Sequence, residues 1–274
     1  MLSAVTAPLV GDIDDLRIDD GSGLAVLGDV AVKLRDLSIE QVSGVPIGTA
    51  DFSTALIKIR IAGARAGRAP AAGELVQRRY AQRGYDLPIA VPDPSLYTVA
   101  AYEQGQLAGT VGVRLDSEHG LYADDLYPME VEALRGRGLR LCEFTRLAVD
   151  SEALSRTVLA SLFHTAYLYA HRLRGIDAAV IEVNPRHVPF YVRALNFKVV
   201  GLERHNDRVD APAVLLFVHF SQISDGLARY AGRPELANTT RTLYPYGFSQ
   251  VEEDGILNRL RNQDARRNGG PSVV

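Results

Sequence analysis

Glu143 and Arg146 are the residues best placed to do chemistry, because they interrupt CEFTRLAVD (142–150), an apolar run that otherwise reads as a buried strand. Taking a charge out of water costs several kcal/mol unless it is paired or used. A buried carboxylate can accept a proton. A guanidinium can grip another carboxylate with two parallel hydrogen bonds. The same two side chains could instead form a structural ion pair. Strand parity separates these readings. Side chains alternate faces along a strand, so residues 143 and 146 point oppositely unless an extra residue is inserted between them. If they act together, a β-bulge near Phe144–Leu147 is required.

Few other residues compete. The single cysteine, Cys142, excludes an internal disulfide and a CxxC metal site, and it reads as a plain buried thiol. No metal site is expected. Serines are present, but no G-x-S-x-G nucleophile elbow is. His164 lies close to an apolar helical stripe and reads as a core histidine; His187, just before Tyr191, is the better catalytic histidine of the two.

Composition narrows the class. Hydrophobic residues make up 47% and charged residues 23%, an ordinary soluble mix, and the net charge of −3 gives no electrostatic case for nucleic acid. No apolar run is long enough for a membrane span, and the N-terminus lacks the pattern of a signal peptide, so a cytoplasmic protein is expected.

The elements that must position Glu143 and Arg146 read as follows. Residues 1–50 are acidic and punctuated by glycine, an extension with at most one hairpin. The main domain covers 51–221. It opens with a strand at TALIKIRIA (54–62) and a helix around ELVQRRYAQR, stopped at Gly84. LYTVAAYE and QLAGTVGVRLD, joined by Gln104-Gly105, form a hairpin. A helix at 123–138 precedes the CEFTRLAVD strand. SRTVLASLFHTAYLYAHRLRG (155–175) is a long helix with one apolar stripe, ended by Gly175. Then come a strand (IDAAVIEVN), a short helix (HVPFYVRALNF) and two strands (FKVVGLER, AVLLFVHF). Residues 222–274 form a C-terminal extension, a weak helix followed by a disordered tail. Strand–helix–strand alternation after CEFTRLAVD implies a parallel pair, and the earlier hairpin implies antiparallel neighbours. The fold class is therefore α/β (α+β), a mixed sheet with helices on both faces.

That order resembles the GNAT acyltransferase fold, in which the sheet is mostly antiparallel with a splayed parallel pair. VNPRHVPFYVRALNF is similar to a GNAT pattern of Asn, Tyr and Gly-Phe, here Asn184, Tyr191 and Asn196-Phe197. The glycine-rich loop that holds the coenzyme A pyrophosphate is absent, since VDSEALSRTVLAS follows the central strand. CEFTRLAVD, VLASLFHTAYLYA, EVNPRHVPFY and DAPAVLLF together look like the long-chain N-acyl amino acid synthases, relatives of the acyl-homoserine lactone synthases. The resemblance covers about residues 54–221. It implies an N-acyltransferase of lipid biosynthesis that moves a long acyl chain from acyl carrier protein to the α-amine of an amino acid, by direct attack on the thioester. Such donors need no pyrophosphate loop. No permanently bound cofactor is implied; acyl-phosphopantetheine, on carrier protein or coenzyme A, is the co-substrate.

The resemblance also implies roles. Glu143, with Arg146 the E-x-x-R of the lactone synthases, would take the amine's proton, and Arg146 could hold the acceptor's carboxylate. Tyr191 would protonate the leaving thiolate. The backbone at Leu147 and Val149, the helix opening at Ser155, Arg156 and Thr157, and Asn184 would bind pantetheine, although Asn184 more simply caps the next helix. Asp125, beside Asp124, could meet the acceptor's amino group. Arg78, Arg79 and Arg83 could greet an acidic carrier protein. The splayed sheet beneath the long helix could supply an apolar slot for the chain. The rival readings are an acetyltransferase using acetyl-CoA and a non-catalytic acyl-binding domain.

Overall fold

The computed structural model describes residues 57–63, 70–81, 93–103, 105–150, 156–207 and 209–268. The expected N-terminal extension, Arg83, Ser155 and the final residues from 269 lie outside the described residues.

Seven strands form one sheet, β1 (Ile57–Gly63), β2 (Leu96–Glu103), β3 (Gln106–Leu115), β4 (Leu141–Val149), β5 (Ala178–Val183), β6 (Lys198–Asn206) and β7 (Ala211–His219), in the order β1-β2-β3-β4-β5-β7-β6. Every neighbouring pair is antiparallel except β4 and β5. That parallel pair holds register only from Leu141↔Ala178 to Glu143↔Val180. Beyond it, β4 continues along β3 and β5 continues along β7, so the sheet forks at Glu143.

The expected bulge is present in β4. Gly112 pairs with Thr145 and Thr110 with Ala148, so Val111 opposes both Arg146 and Leu147. Arg146 takes a φ of 52°, a left-handed conformation uncommon outside glycine. The bulge reverses parity. Cys142 and Phe144 face one side of the sheet, and after the inserted residue Leu147 and Val149 face that same side.

Helices cover both faces. On one lie α1 (Pro70–Ala81) and α2 (Pro128–Gly136), the latter preceded by a 3-10 turn at Tyr122–Asp124. Leu75 and Val76 of α1 pack near Ala148, and Val131 and Leu134 of α2 pack with Leu141, Ala178 and Val180. On the other face lies α3 (Arg156–Tyr167), which widens into a π-helical turn over Leu168–Leu173 and ends at Gly175 with a φ of 70°. α4 (Val188–Leu195) follows β5 and ends at Asn196, whose φ of 59° does the left-handed work usually given to glycine.

One apolar stripe does not describe α3, because every residue from Val158 to Ala170 is buried. A helix apolar on all sides needs cover on all sides. The sheet covers one side and the C-terminal extension the other. That extension is α5 (Phe220–Tyr230), short 3-10 turns, and α6 (Gln250–Asn268), which buries Ile256, Leu257 and Leu260. The weak helix expected over LYPYGFSQVEEDGILNRLRNQ instead starts at Gln250 and runs to Asn268, into the stretch read as tail, and α5 before it was not expected.

Candidate active site

Glu143 is fully buried at the fork. Its Oε2 accepts hydrogen bonds from the backbone N–H groups of Tyr122 (2.7 Å) and Ala123 (3.1 Å). Oε1 is buried with no hydrogen-bond partner among the described residues. Its antiparallel neighbour is Arg114, itself buried, stacked over the Tyr122 ring and paired with Asp93. Burial pushes the Glu143 carboxyl up to about 8, Glu182 pushes the same way, and the two N–H groups and Arg114 oppose the rise less strongly.

The structural ion pair is not seen. Glu143 is held by backbone N–H groups, and Arg146 is half-buried with no hydrogen-bond or ionic partner among the described residues. The inserted residue breaks the ladder at Arg146.

Glu182 is the residue the sequence reading missed. It lies on β5 two positions past Val180, so it shares the face of Val180 and Glu143. It is buried, and Asn206 at the end of β6 donates to its Oε2 at 3.2 Å. Tyr127, fully buried on the same side, places its hydroxyl 2.6 Å from the Ala213 carbonyl oxygen, and burial followed by the Glu182 charge pushes its phenol well up. The signal for Glu182 was the same as for Glu143, an acid in an apolar strand.

The other expected site residues fall in different places. Tyr191 is fully buried on the α3 side of the sheet, edge-on to Phe163, Phe190 and Phe197. Leu147 and Val149 are buried on that side too, along the β4 edge that faces the fork without pairing to β5. Asn184 caps the turn before α4, its side chain accepting from the Arg186 N–H at 3.2 Å. Arg156 is exposed at the start of α3, 3.3 Å from the Tyr246 hydroxyl, and Thr157 beside it is half-buried. Asp125 is exposed at the end of the 3-10 turn, whereas Asp124 is tied to Arg135 at 2.6 Å. Arg78 pairs with Asp150 at 2.7 Å. Arg79 is buried, because it continues the stripe of Ala72, Leu75 and Val76 that faces the sheet; it is not on a solvated docking face. His187 is buried, and burial raises the Cys142 thiol well above its ordinary range.

The site thus combines a forked sheet, a bulged strand, a buried carboxylate and a guanidinium without an ionic partner among the described residues. The family model of the N-acyl amino acid synthase FeeM matches residues 71–219, more than half of the chain. The chain belongs to this family. The family assignment makes it an N-acyltransferase, and the fork, the bulge and Glu143 all lie inside the matched segment. The solved structure of FeeM, an N-acyl amino acid synthase from uncultured soil microbes, is similar at 30% identity with a TM-score of 0.56, over 62% of this chain and 94% of that one. The acyl-homoserine lactone synthase LasI is similar at 18% identity with a TM-score of 0.45, over 61% of this chain and 91% of its own. An N-acetyltransferase from Staphylococcus aureus Mu50 is similar at 13% identity with a TM-score of 0.44, over 61% and 99%. No curated protein sequence matches the chain. The fold is GNAT-like, and no described helix is long and apolar enough to cross a membrane.

Proposed function

We propose that this enzyme transfers a long-chain acyl group from an acyl-phosphopantetheine thioester, carried on acyl carrier protein, to the α-amine of an amino acid. The observation that carries the reading is Glu143 Oε1, a buried carboxylate oxygen without a hydrogen-bond partner among the described residues, at the point where β4 and β5 part. A buried acceptor left open is costly, and an incoming amine would satisfy it.

In this reading the pantetheine arm lies in the fork, where the β4 edge past Glu143 has no β5 partner and can offer its N–H groups to amides and to the developing oxyanion. The amine nitrogen attacks the thioester carbon from the Glu143 side. Glu143 takes the proton the nitrogen must lose. The carbon–sulfur bond then breaks, and the thiolate takes a proton from Tyr191, which stands on the α3 side of the sheet. Arg146 grips the acceptor's carboxylate, a pairing open to it because it has no ionic partner among the described residues. The absence of glycine from VDSEALSRTVLAS favours a carrier-protein donor over coenzyme A.

The test is a donor and acceptor screen read by mass spectrometry. Long acyl groups on carrier protein should give N-acyl amino acids faster than the matching acyl-CoA. Turnover of acetyl-CoA alone would contradict the reading.

A further inference from the structure

Residues 220–268 lie beyond the matched family segment, yet they complete its core. Between α3 and this extension is an apolar cavity of about 20 Å³. Phe144, Phe163 and Leu195 line it from the family segment; Ile223, Leu227 and Leu243 line it from the extension. A void of this size has room for about one water, which would need several polar partners. The polar side chains in the wall are His164 and Tyr244, and His164 Nε2 lies 3.4 Å from a Glu253 carboxylate oxygen. His164 Nδ1 accepts from the Phe248 N–H at 3.0 Å, and the Tyr244 hydroxyl lies 3.3 Å from the Leu195 carbonyl oxygen. The cavity is suited to hydrocarbon.

Its position gives the hydrocarbon an origin. Phe144 follows Glu143 on β4 and points to the opposite face, so the cavity starts one residue from the fork. An acyl chain that leaves a thioester at the fork towards α3 meets Phe144 first and the extension last. We infer that the cavity is the blind end of the acyl-chain channel and that Ile223, Leu227 and Leu243 of the C-terminal extension set the length of chain accepted. This rests on the acyl-transfer reading above. A longer chain must displace the extension, which is held there by its buried Phe220, Ile256, Leu257 and Leu260 as well as by polar ties. Besides the His164–Phe248 bond, Glu253 lies 2.8 Å from Arg172, and Asp264 accepts from Arg174 at 2.6 Å and 2.9 Å.

The test compares Leu227→Ala, which deepens the cavity, with Ile223→Phe, which fills it, using an equimolar mixture of acyl donors from eight to eighteen carbons. Because a methylene in an apolar pocket is worth about 10–200-fold in discrimination, the ratio of long to short products should change at least about tenfold. It should rise in Leu227→Ala and fall in Ile223→Phe. Folded variants with the wild-type ratio overturn the inference, and if one variant fails to fold the other decides. A binding arm is independent of turnover. The chain has no tryptophan, so Phe248→Trp, which replaces a ring stacked on His164, supplies a sole tryptophan that can be excited apart from the tyrosines for titration with free fatty acids of graded length. A chain-length-dependent response that moves with Leu227→Ala supports the inference even if every thioester fails as a donor, which would sink the acyl-transfer reading alone. A response that is flat for all lengths, with unchanged product ratios, overturns the inference alone.

Discussion

Glu143 and Glu182 face the same side of the sheet from the two arms of the fork, one at the last paired position of β4 and the other just past it on β5. Two buried acids on one face resist being ionised together, and this repulsion adds to burial in holding the Glu143 carboxyl near 8. A base of that strength suits the removal of a proton from an amine near neutral pH.

Replacing Glu182 with Gln removes the repulsion and leaves the size. The rising limb of the pH–rate profile should move to lower pH by on the order of one unit. A profile unchanged in position would mean that Glu182 does not act on the catalytic carboxyl.

Stability should carry the same signature. In the folded protein Glu143 keeps its proton up to about 8, against an ordinary value of 4.5. Between these values the folded state binds more protons than the unfolded state. The contribution is therefore fully present below 4.5 and is lost as pH rises through about 8. Thermal melts of Glu143→Gln from pH 5 to pH 8 should show a flatter decline than wild type. Parallel declines would place the proton uptake elsewhere.

Arg146 offers a substitution that separates folding from binding. Glycine suits a φ of 52°, so Arg146→Gly should leave stability within about 1 kcal/mol, the relief of a left-handed residue offsetting the freer unfolded backbone. Loss of a charge-assisted grip worth ~1.5–3 kcal/mol should raise KM for amino acids about 10–100-fold. Amino acid amides should be poor substrates of the wild type and be little affected by the change. Equal use of acids and amides by the wild type would remove the acceptor role.

Much of this architecture was legible in the sequence. The strands and the helices as far as α4 followed from periodicity, and parity alone required the bulge if Glu143 and Arg146 were to act together. The fork was less accessible, because where two parallel strands separate depends on long-range pairing. Glu182 was missed for that reason: its acid in AAVIEVN read as the end of a strand until the fork put it across from Glu143. Arg79 could have been placed from spacing, since it continues the stripe of Ala72, Leu75 and Val76, but a cluster of arginines reads as solvated. The C-terminal extension looked polar because its buried residues are few; Glu253, Ile256, Leu257 and Leu260 fall on one helical face, and the α3 layer they cover is nowhere near them in sequence.

The central claim is that Glu143 is the base. Glu143→Gln can still accept from the Tyr122 and Ala123 N–H groups through its amide oxygen, but it cannot take a proton. The measurement is the single-turnover rate of this variant with a saturating acyl donor, beside its melting temperature at pH 7. The account predicts a folded protein whose rate falls about 10²–10⁴-fold and whose rising pH limb is gone. A variant that turns over at the wild-type rate, or that loses activity only in proportion to lost folding, would contradict it.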